Sequence, residues 1–323
     1  MRVVFMGSAE FACPALRNLA KCGVAEVAAV VTQPDKPSGR GLEVSSSPIK
    51  KCAFELNIPS LTPEKVNTPD SLDAIRSFQP DLIVVVAYGQ ILRSPVLTLP
   101  TKGCINIHAS LLPYYRGAAP IQWAIANGEK VTGVTAMHMN ERMDEGDIIL
   151  QKEVAIDRED TAASLHDRLA EQGAAILVQA LCALNDGRVI RVSQNETDAT
   201  YAPKLSKQDG RIVWTMAAEQ VYNRIRGFNP WPACYCQFSR EHGKQKPGNG
   251  DRPEFALKVL KAQIEENSAG KPGEVLDVGG DGPLVRTGDK SVRLVEVQPE
   301  GGRVMTGRAF LNGHKLQPGE MLE

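Results

Sequence analysis

The sequence predicts an α/β fold in which a doubly wound, mostly parallel sheet is followed by a second, smaller β-barrel domain. In the first half of the chain, short apolar runs alternate with helical stretches, as they do where helices cover both faces of a parallel sheet. In the last third, short strand-like runs are separated by Gly-rich turns, which is typical of a small antiparallel barrel. A length of 323 residues is enough for both hydrophobic cores.

The sheet begins at the first residues of the chain. Residues 3–6 are apolar and end in a turn at Gly7-Ser8, and a helix is predicted over 11–21, which together form a Rossmann-like opening. Gly7 stands alone rather than in a G-x-G-x-x-G fingerprint, so no dinucleotide cofactor is expected. Further strands are predicted over 26–32 and 82–87, with helices over 48–56 and 69–78.

Polar side chains are concentrated in the middle of the chain. The alternating pattern over 103–108 predicts a strand that carries Asn106 and His108 on one face. The loop that follows cannot continue the sheet through Pro113 and is apolar, which indicates a structured ligand wall. Because the ligands of a doubly wound sheet bind outside the carboxyl ends of its strands, we expect the functional site here.

A helix is predicted over 118–128 and a strand over 132–139, which leads into an acidic loop that contains Asp144. An Asn amide can donate to an oxyanion, an effect worth about 3 kcal/mol. A carboxylate favours the protonated form of a neighbouring His, which can pass a proton onward. The trio suits acyl transfer without a covalent enzyme intermediate, since no Ser stands in a G-x-S-x-G elbow. Caps or satisfied core groups are the structural alternative for such residues at strand ends.

A longer motif spans these residues, and it resembles the signature of the folate-dependent formyltransferases. It reads Asn106-x-His108-x-Ser110-Leu111-Leu112-Pro113-x-x-Arg116-Gly117, with Asp144 before Gly146-Asp147. The resemblance implies that Asn106, His108 and Asp144 are the catalytic residues. It also implies that 10-formyltetrahydrofolate is the co-substrate, with no metal, and that its site is lined by Ser110, Leu111, Leu112 and Pro113.

A second wall of the folate site is predicted at the carboxyl end of the strand over 82–87, from Tyr88, Gly89 and Leu92. Packing of Tyr88 in the core is an equally good interpretation of the sequence. His138 and His166 match no catalytic position of the family, and structural roles are expected for both.

The connection over 33–47 is long for a sheet of this kind, in which about 2 to 6 residues are usual, so it needs a function or is a mobile surface insertion. Its pattern, Gln33-Pro34-Asp35-x-Pro37-x-Gly39-Arg40-Gly41 followed by Ser47-Pro48-x-Lys50, resembles the methionyl-tRNA branch of the formyltransferases. In that branch the loop enters the acceptor arm of the initiator tRNA. Lys36 and Arg40 are the implied tRNA contacts, because cationic side chains bind phosphates or base edges. Leu42-Glu43 stand where some relatives carry further lysines.

The rest of the chain is predicted to form a long helix, a linker and a second domain. Asp160-Thr161 caps an amphipathic helix that ends before Gly187, and polar, unpatterned residues then indicate a linker. The resemblance implies that the second domain is OB-like and binds tRNA. The predicted division is a catalytic domain over 1–187, a linker over 188–208 and a tRNA-binding domain over 209–323. Strands of the second domain are predicted over 234–238, 255–264, 273–278, 283–286 and 291–297, after a helix over 217–226.

The composition narrows the partners and the compartment. A net charge of −1 gives the chain no overall electrostatic attraction to nucleic acid. The seven cysteines are scattered, without a C-x-x-C pair or zinc-spaced histidines, so we expect reduced thiols, no metal site and a cytoplasmic protein. No apolar run is long enough to cross a bilayer, and a monomer is expected.

The resemblance of the two motifs to the formyltransferases implies transfer of a formyl group from 10-formyltetrahydrofolate to the α-amino group of methionyl initiator tRNA, for translation initiation. One alternative is a related formyltransferase that acts on a small amine, such as glycinamide ribonucleotide or a nucleotide-linked amino sugar. The pattern over 33–50, which those small-amine formyltransferases lack, favours the tRNA substrate over this alternative. The other alternative is a folate- or RNA-binding module without catalysis, against which the intact Asn106, His108 and Asp144 argue.

Overall fold

The computed structural model describes residues 1–38, 43–239, 254–314 and 316–323. Contacts between Cα atoms divide the chain into two compact units. The first comprises Met1–Pro120, Val131–Ala155 and Leu165–Pro203, and the second comprises Ile121–Lys130, Ile156–Ser164 and Lys204–Glu323. None of the helices in the described residues is long and apolar enough to cross a membrane.

The elements of the first two thirds of the chain alternate between strands and helices. In chain order they are β1 (Arg2–Gly7), α1 (Cys13–Lys21), β2 (Glu26–Val31), β3 (Lys36–Ser38), β4 (Glu43–Ser45), α2 (Pro48–Glu55), β5 (Ser60–Leu61), α3 (Pro69–Arg76), β6 (Leu82–Val86), α4 (Ser94–Leu97), β7 (Cys104–His108), β8 (Arg116–Gly117), α5 (Pro120–Ala126), β9 (Val131–His138), β10 (Ile148–Ala155), α6 (Ala162–Asn185) and β11 (Tyr201–Ala202).

The first unit is built on a seven-stranded sheet with the strand order β10-β9-β7-β6-β1-β2-β5. Five neighbouring strands of this sheet pair in parallel: β5, β2, β1, β6 and β7. Strand β9 pairs antiparallel with both β7 and β10. This confirms the predicted mostly parallel sheet. The central strands are fully apolar because both of their faces are covered: residues 3–6 of β1 have no exposed surface, and all of β6 is buried.

The antiparallel edge strand β10 was not among the predicted elements. It lacks a long apolar run and half of its residues are exposed, among them the charged Lys152 and Glu153, which suit a sheet edge. Its pairing with β9 makes the acidic loop over 139–147 the connection of a hairpin. Gly146 is required in this loop, because a Cβ atom there would lie 1.6 Å from the carbonyl oxygen of His138.

The second unit carries an antiparallel sheet, as predicted. Its elements are α7 (Ala218–Gly227), β12 (Cys234–Ser239), β13 (Glu254–Glu265), β14 (Val275–Asp277), β15 (Leu284–Arg286), β16 (Ser291–Pro299), β17 (Met305–Thr306) and α8 (Gly307–His314). The strand order is β12-β13-β16-β15-β14, with β17 paired to β16.

The last residues of the chain connect the two edges of this sheet. Met321 forms an isolated bridge with Glu274, next to β14, and Leu322 forms one with Phe238 of β12. The backbone nitrogen of Glu323 also donates to the oxygen of Gln237 at 2.8 Å. Both edge strands therefore have hydrogen-bond partners, which is how a small barrel removes its exposed edges.

Candidate functional site

Strand β7 places Asn106 and His108 side by side on one face of the first unit's sheet. The side chain of His108 is almost fully buried, and its Nε2 lies 2.9 Å from the carbonyl oxygen of Tyr115. A carbonyl only accepts, so Nε2 carries a proton and donates it. Nδ1 lies 3.7 Å from Oδ2 of Asp144. The ring is therefore fixed between a backbone acceptor and a carboxylate.

Asp144 completes the group from the loop between β9 and β10. Its Oδ2 accepts from the backbone nitrogen of Gly117 at 2.9 Å, and its Oδ1 lies 3.5 Å from Nδ2 of Asn106. The structure thus brings together the three predicted catalytic residues. The backbone of Asp144 adopts φ +56°, a left-handed conformation that is unfavourable for most residues outside glycine and is tolerated by aspartate.

A polar network that the sequence did not predict holds the Asp144 loop. Nε2 of Gln194 donates to the carbonyl oxygens of Asp144 and Gly146, both at 2.8 Å. Oε1 of Gln194 accepts from Arg116, whose guanidinium also forms two 2.9 Å bonds with Glu196. The hydrogen bonds between Arg116 and Glu196 raise the pKa of Arg116 and lower the pKa of Glu196. Arg116 has only 1 % of its surface exposed, so the network satisfies a buried cation.

The predicted folate wall begins at Ser110, which is fully buried and donates its hydroxyl to the carbonyl oxygen of Tyr114 at 2.6 Å. Thr135 of β9 ties this segment to the sheet. Its hydroxyl donates to the oxygen of Ser110 at 2.7 Å and accepts from the nitrogen of Leu112 at 3.1 Å. Leu112 is buried, whereas Leu111 and Pro113 are half-buried. The segment is rigidly held next to the group of three, and its contact with folate stays a prediction.

The second predicted wall contains one exposed and two buried residues. Tyr88 and Leu92 are 2 % and 4 % exposed and belong to the apolar cluster that also contains Val4 and Met6. Burial raises the pKa of Tyr88 to about 12. Gly89 is exposed and adopts φ +84°, where a Cβ atom would lie 2.5 Å from Nε2 of Gln33. The ring of Tyr88 thus packs in the core, and its contact with a ligand stays a prediction.

Lys36, one of the two predicted tRNA contacts, belongs to a small hairpin. Strands β3 and β4 pair antiparallel, and Lys36 stands opposite Ser45, while Arg40 lies outside the described residues. The base of the hairpin is tied by Asp35, whose Oδ2 lies 2.7 Å from Nζ of Lys50 and accepts from Ser46 at 3.3 Å. The two halves of the sequence pattern over 33–50 therefore meet through one ion pair.

The remaining histidines of interest lie apart from this group. His138 is buried, its Nε2 has no hydrogen-bond partner among the described residues, and burial lowers its pKa. Nδ1 of His166 lies 2.9 Å from Asp167, and its ring packs edge-on against Phe11. In the part of the chain that the structure describes, no group of three or more His, Cys, Asp or Glu could hold a metal ion.

Sequence reasoning missed Gln194 and Glu196 because both stand in a polar stretch without periodicity, which predicts a linker. In the structure, residues 194–202 lie beside the site: Thr200 accepts from the backbone nitrogen of Tyr115 at 2.8 Å, and β11 pairs with β8. The available signal was Arg116, a charged residue within an apolar segment, which requires an acidic or carbonyl partner from elsewhere in the chain.

Two family models match this chain. The model described as "Formyl transferase" matches residues 1–181, and the model described as "Formyl transferase, C-terminal domain" matches residues 204–315. Curated relatives include the methionyl-tRNA formyltransferase of Caldanaerobacter subterraneus subsp. tengcongensis, 45 % identical over 325 residues and covering 100 % of both chains. The methionyl-tRNA formyltransferase of Geobacter sulfurreducens is 45 % identical over 322 residues, which cover 100 % of this chain and 96 % of the relative.

Solved structures share the fold at much lower identity. The sugar 3N-formyl transferase WlaRD, crystallised with dTDP and 5-N-formyl-THF, superposes with a TM-score of 0.63 at 17 % identity and covers 91 % of this chain and 97 % of its own. The N-formyltransferase of Helicobacter canadensis, in complex with folinic acid and dTDP-3-aminofucose, superposes with a TM-score of 0.62 at 17 % identity, over 90 % of this chain and 98 % of its own.

Proposed function

Because the chain belongs to the methionyl-tRNA formyltransferases, enzymes that formylate the methionine carried by initiator tRNA, we propose that its Asn106, His108 and Asp144 transfer the formyl group from N10 of 10-formyltetrahydrofolate. The observation that carries this assignment is the meeting of the three side chains at the end of β7, with Oδ1 of Asp144 3.5 Å from Asn106 and Oδ2 3.7 Å from His108. Those are the groups that a tetrahedral acyl-transfer intermediate needs.

The neutral α-amino group attacks the formyl carbon, so that a carbon–nitrogen bond forms and the carbonyl oxygen becomes an oxyanion. Asn106 donates to this oxyanion and protonated His108 supplies positive charge beside it, while Asp144 balances that charge. The bond between the formyl carbon and N10 then breaks, and the proton lost by the amine reaches N10 through water held by Asp144. Binding both substrates in one geometry provides the remaining acceleration.

The folate co-substrate is proposed to lie against residues 110–113, with Gly89 and the surface above Tyr88 and Leu92 opposite. Support comes from the fixed backbone of this wall: Thr135 engages both Ser110 and Leu112, and Nε2 of Gln151 donates to the oxygen of Leu112 at 2.8 Å. A wall that is rigid before binding loses little entropy when the ligand arrives.

Initiator tRNA is proposed to contact Arg40, the hairpin that carries Lys36, and the domain over 209–323, which residues 188–208 join to the catalytic domain over 1–187. Support for the hairpin comes from the anchored base, where Asp35 pairs with Lys50 and the hydroxyls of Thr32 and Ser47 lie 2.7 Å apart. We further propose that the protein acts as a monomer in the cytoplasm.

The test is transfer of labelled formyl from 10-formyltetrahydrofolate to initiator methionyl-tRNA, with elongator methionyl-tRNA, glycinamide ribonucleotide and an amino sugar nucleotide as parallel acceptors. Rapid transfer to the initiator alone is the expected result. Transfer to a small amine instead would overturn the tRNA assignment, and folate binding without any transfer would overturn the catalytic one.

A further inference from the structure

We propose that Gln194 is a positioning residue for formyl transfer, because its amide fixes the loop that aims Asp144 at His108. The inference rests on the proposed function of Asp144. Gln194 lies 50 residues after Asp144 in sequence, and its side chain is half-buried beneath the loop.

The amide of Gln194 uses its full hydrogen-bonding capacity. Both protons of Nε2 are donated, to the oxygens of Asp144 and Gly146, and Oε1 accepts from Nε and Nη2 of Arg116 at 3.0 and 2.9 Å. Arg116 can only donate and the two carbonyls can only accept, so the amide has one allowed orientation. Its reversal would set an oxygen against two oxygens and an NH₂ group against a guanidinium.

Arg116 is itself an immobile anchor. It is fully buried, Glu196 holds it with two hydrogen bonds, and Glu145 lies 3.6 Å from Nη1. Its backbone lies in β8, next to Gly117, whose nitrogen donates to the carboxylate of Asp144. The same short strand thus fixes both the carboxylate of Asp144, through Gly117, and its backbone carbonyl, through Gln194.

The conformation of Asp144 explains why such a clamp is needed. With φ at +56°, the residue is held in a region that most side chains avoid. The two carbonyls that accept from Gln194 are those of Asp144 itself and of Gly146, so the hydrogen bonds fix the backbone that orients the Asp144 carboxylate. Without this clamp, the loop is free to relax and the carboxylate loses its aim at His108.

The discriminating substitution is Gln194→Glu. A carboxylate of the same shape still accepts from Arg116, and it pairs with that cation more strongly, but it has no proton to donate to the two carbonyls. The variant therefore removes the half of the interaction that faces Asp144 and keeps the half that faces Arg116. Ser193→Ala is the matched control, because the Ser193 hydroxyl donates to Asp147 at 2.9 Å and forms no hydrogen bond with Asp144 or Gly146 in the described structure.

We expect Gln194→Glu to lower kcat about tenfold to a hundredfold, which is the cost of a small misplacement of a catalytic group, with both KM values within about twofold. Ser193→Ala should retain the wild-type kcat. The decisive readout is a double-mutant cycle with Asp144→Asn: if Gln194 acts through Asp144, Gln194→Glu lowers kcat by less than about threefold in that background.

An equal loss in both backgrounds would overturn the proposal, as would an unchanged kcat in a folded Gln194→Glu protein. If Gln194→Glu fails to fold, Gln194→Asn keeps the amide but shortens its reach by one methylene, and the same cycle applies. Failure of the proposed function is recognised separately, because the wild-type enzyme would then transfer no formyl group to initiator methionyl-tRNA.

Discussion

Two aspartates follow two strands of the same sheet, and they have different partners. Asp35 comes after β2 and pairs with the ammonium group of Lys50 at 2.7 Å. Asp144 comes after β9, accepts from the backbone nitrogen of Gly117 and faces the imidazole of His108. The first carboxylate is paired with an ammonium group, whereas the second faces an imidazole ring.

One residue type can thus serve two purposes in loops that follow strands of opposite direction in the same sheet. A carboxylate paired with lysine fixes the base of a hairpin, and the ion pair neutralises its charge. A carboxylate beside a histidine keeps its charge available for proton transfer, and its position is secured by neutral donors instead. The hairpin is therefore expected to affect tRNA binding, and the Asp144 loop to affect the chemical step.

The largest expected effect is that of Asp144→Asn. The amide cannot balance the positive charge of His108, so kcat should fall by about a hundredfold to ten-thousandfold, the usual contribution of a general acid–base group. Steady-state kinetics with both substrates should show KM values that change little. If Asp144→Asn mainly raised the KM for tRNA instead, Asp144 would affect tRNA binding, as is expected of Asp35, and the two aspartates would not differ in role.

The next effect is that of Gly146→Ala, which tests whether the loop that carries Asp144 must keep its position for the chemical step. A Cβ atom at Gly146 would lie 1.6 Å from the oxygen of His138, so the loop must shift and the melting temperature and kcat should both fall, kcat by about a hundredfold. Gly313→Ala in α8 is the control, since a Cβ atom there meets nothing within 4 Å. Wild-type kcat in Gly146→Ala would show that the loop tolerates displacement.

Thr135→Val separates the folate wall from the Asp144 loop. The valine leaves the nitrogen of Leu112 without its acceptor and removes one of the two acceptors of the Gln151 amide, at a cost of about 1–3 kcal/mol in the free energy of unfolding. We expect the KM for 10-formyltetrahydrofolate to rise about tenfold, equivalent to 1.4 kcal/mol, with a smaller change in kcat. Chemical denaturation and initial-rate kinetics measure the two quantities. A fall in kcat at unchanged KM would mean that Thr135 supports the reacting groups rather than the wall.

The smallest effect is expected for Asp35→Asn, which removes the charge at the base of the hairpin. The KM for initiator tRNA should rise severalfold, while kcat at saturating tRNA stays at the wild-type value. Glu55→Gln breaks the exposed pair between Arg17 and Glu55 in the neighbouring helices and should change neither, because exposed pairs contribute about 0–1 kcal/mol. A drop in kcat for Asp35→Asn would contradict the division between the two aspartates.

The sequence was sufficient to predict the sheet because its central strands are continuous apolar runs, as at residues 82–86, and burial on both faces leaves no other pattern. The motif around Asn106 resembles a known family, and it named the three residues that the structure brings together, whose catalytic role stays a prediction. It did not predict the partners of Arg116, since hydrogen bonds between distant segments leave no periodic trace, and Gln194 stands in a polar stretch that indicates a linker.

The same reasoning explains the elements missed at the sheet edges. Half of the residues of β10 are exposed, three of them in a row, and Met321 and Leu322 contribute only isolated bridges, so neither segment has the alternation that marks a half-buried strand. The core position of Tyr88 was left open for a related reason. Its aromatic ring suits both a ligand wall and an apolar cluster, and only the surrounding residues decide between them.

The joint role of Asn106, His108 and Asp144 in formyl transfer can be tested by a single-turnover measurement. Labelled 10-formyltetrahydrofolate and initiator methionyl-tRNA are mixed with excess wild-type or Asn106→Ala enzyme, and formylmethionyl-tRNA is followed with time. We expect rapid transfer by the wild type and a rate constant about a hundredfold to a thousandfold lower for Asn106→Ala, which is the cost of one oxyanion donor. Equal rate constants for the two enzymes would contradict it.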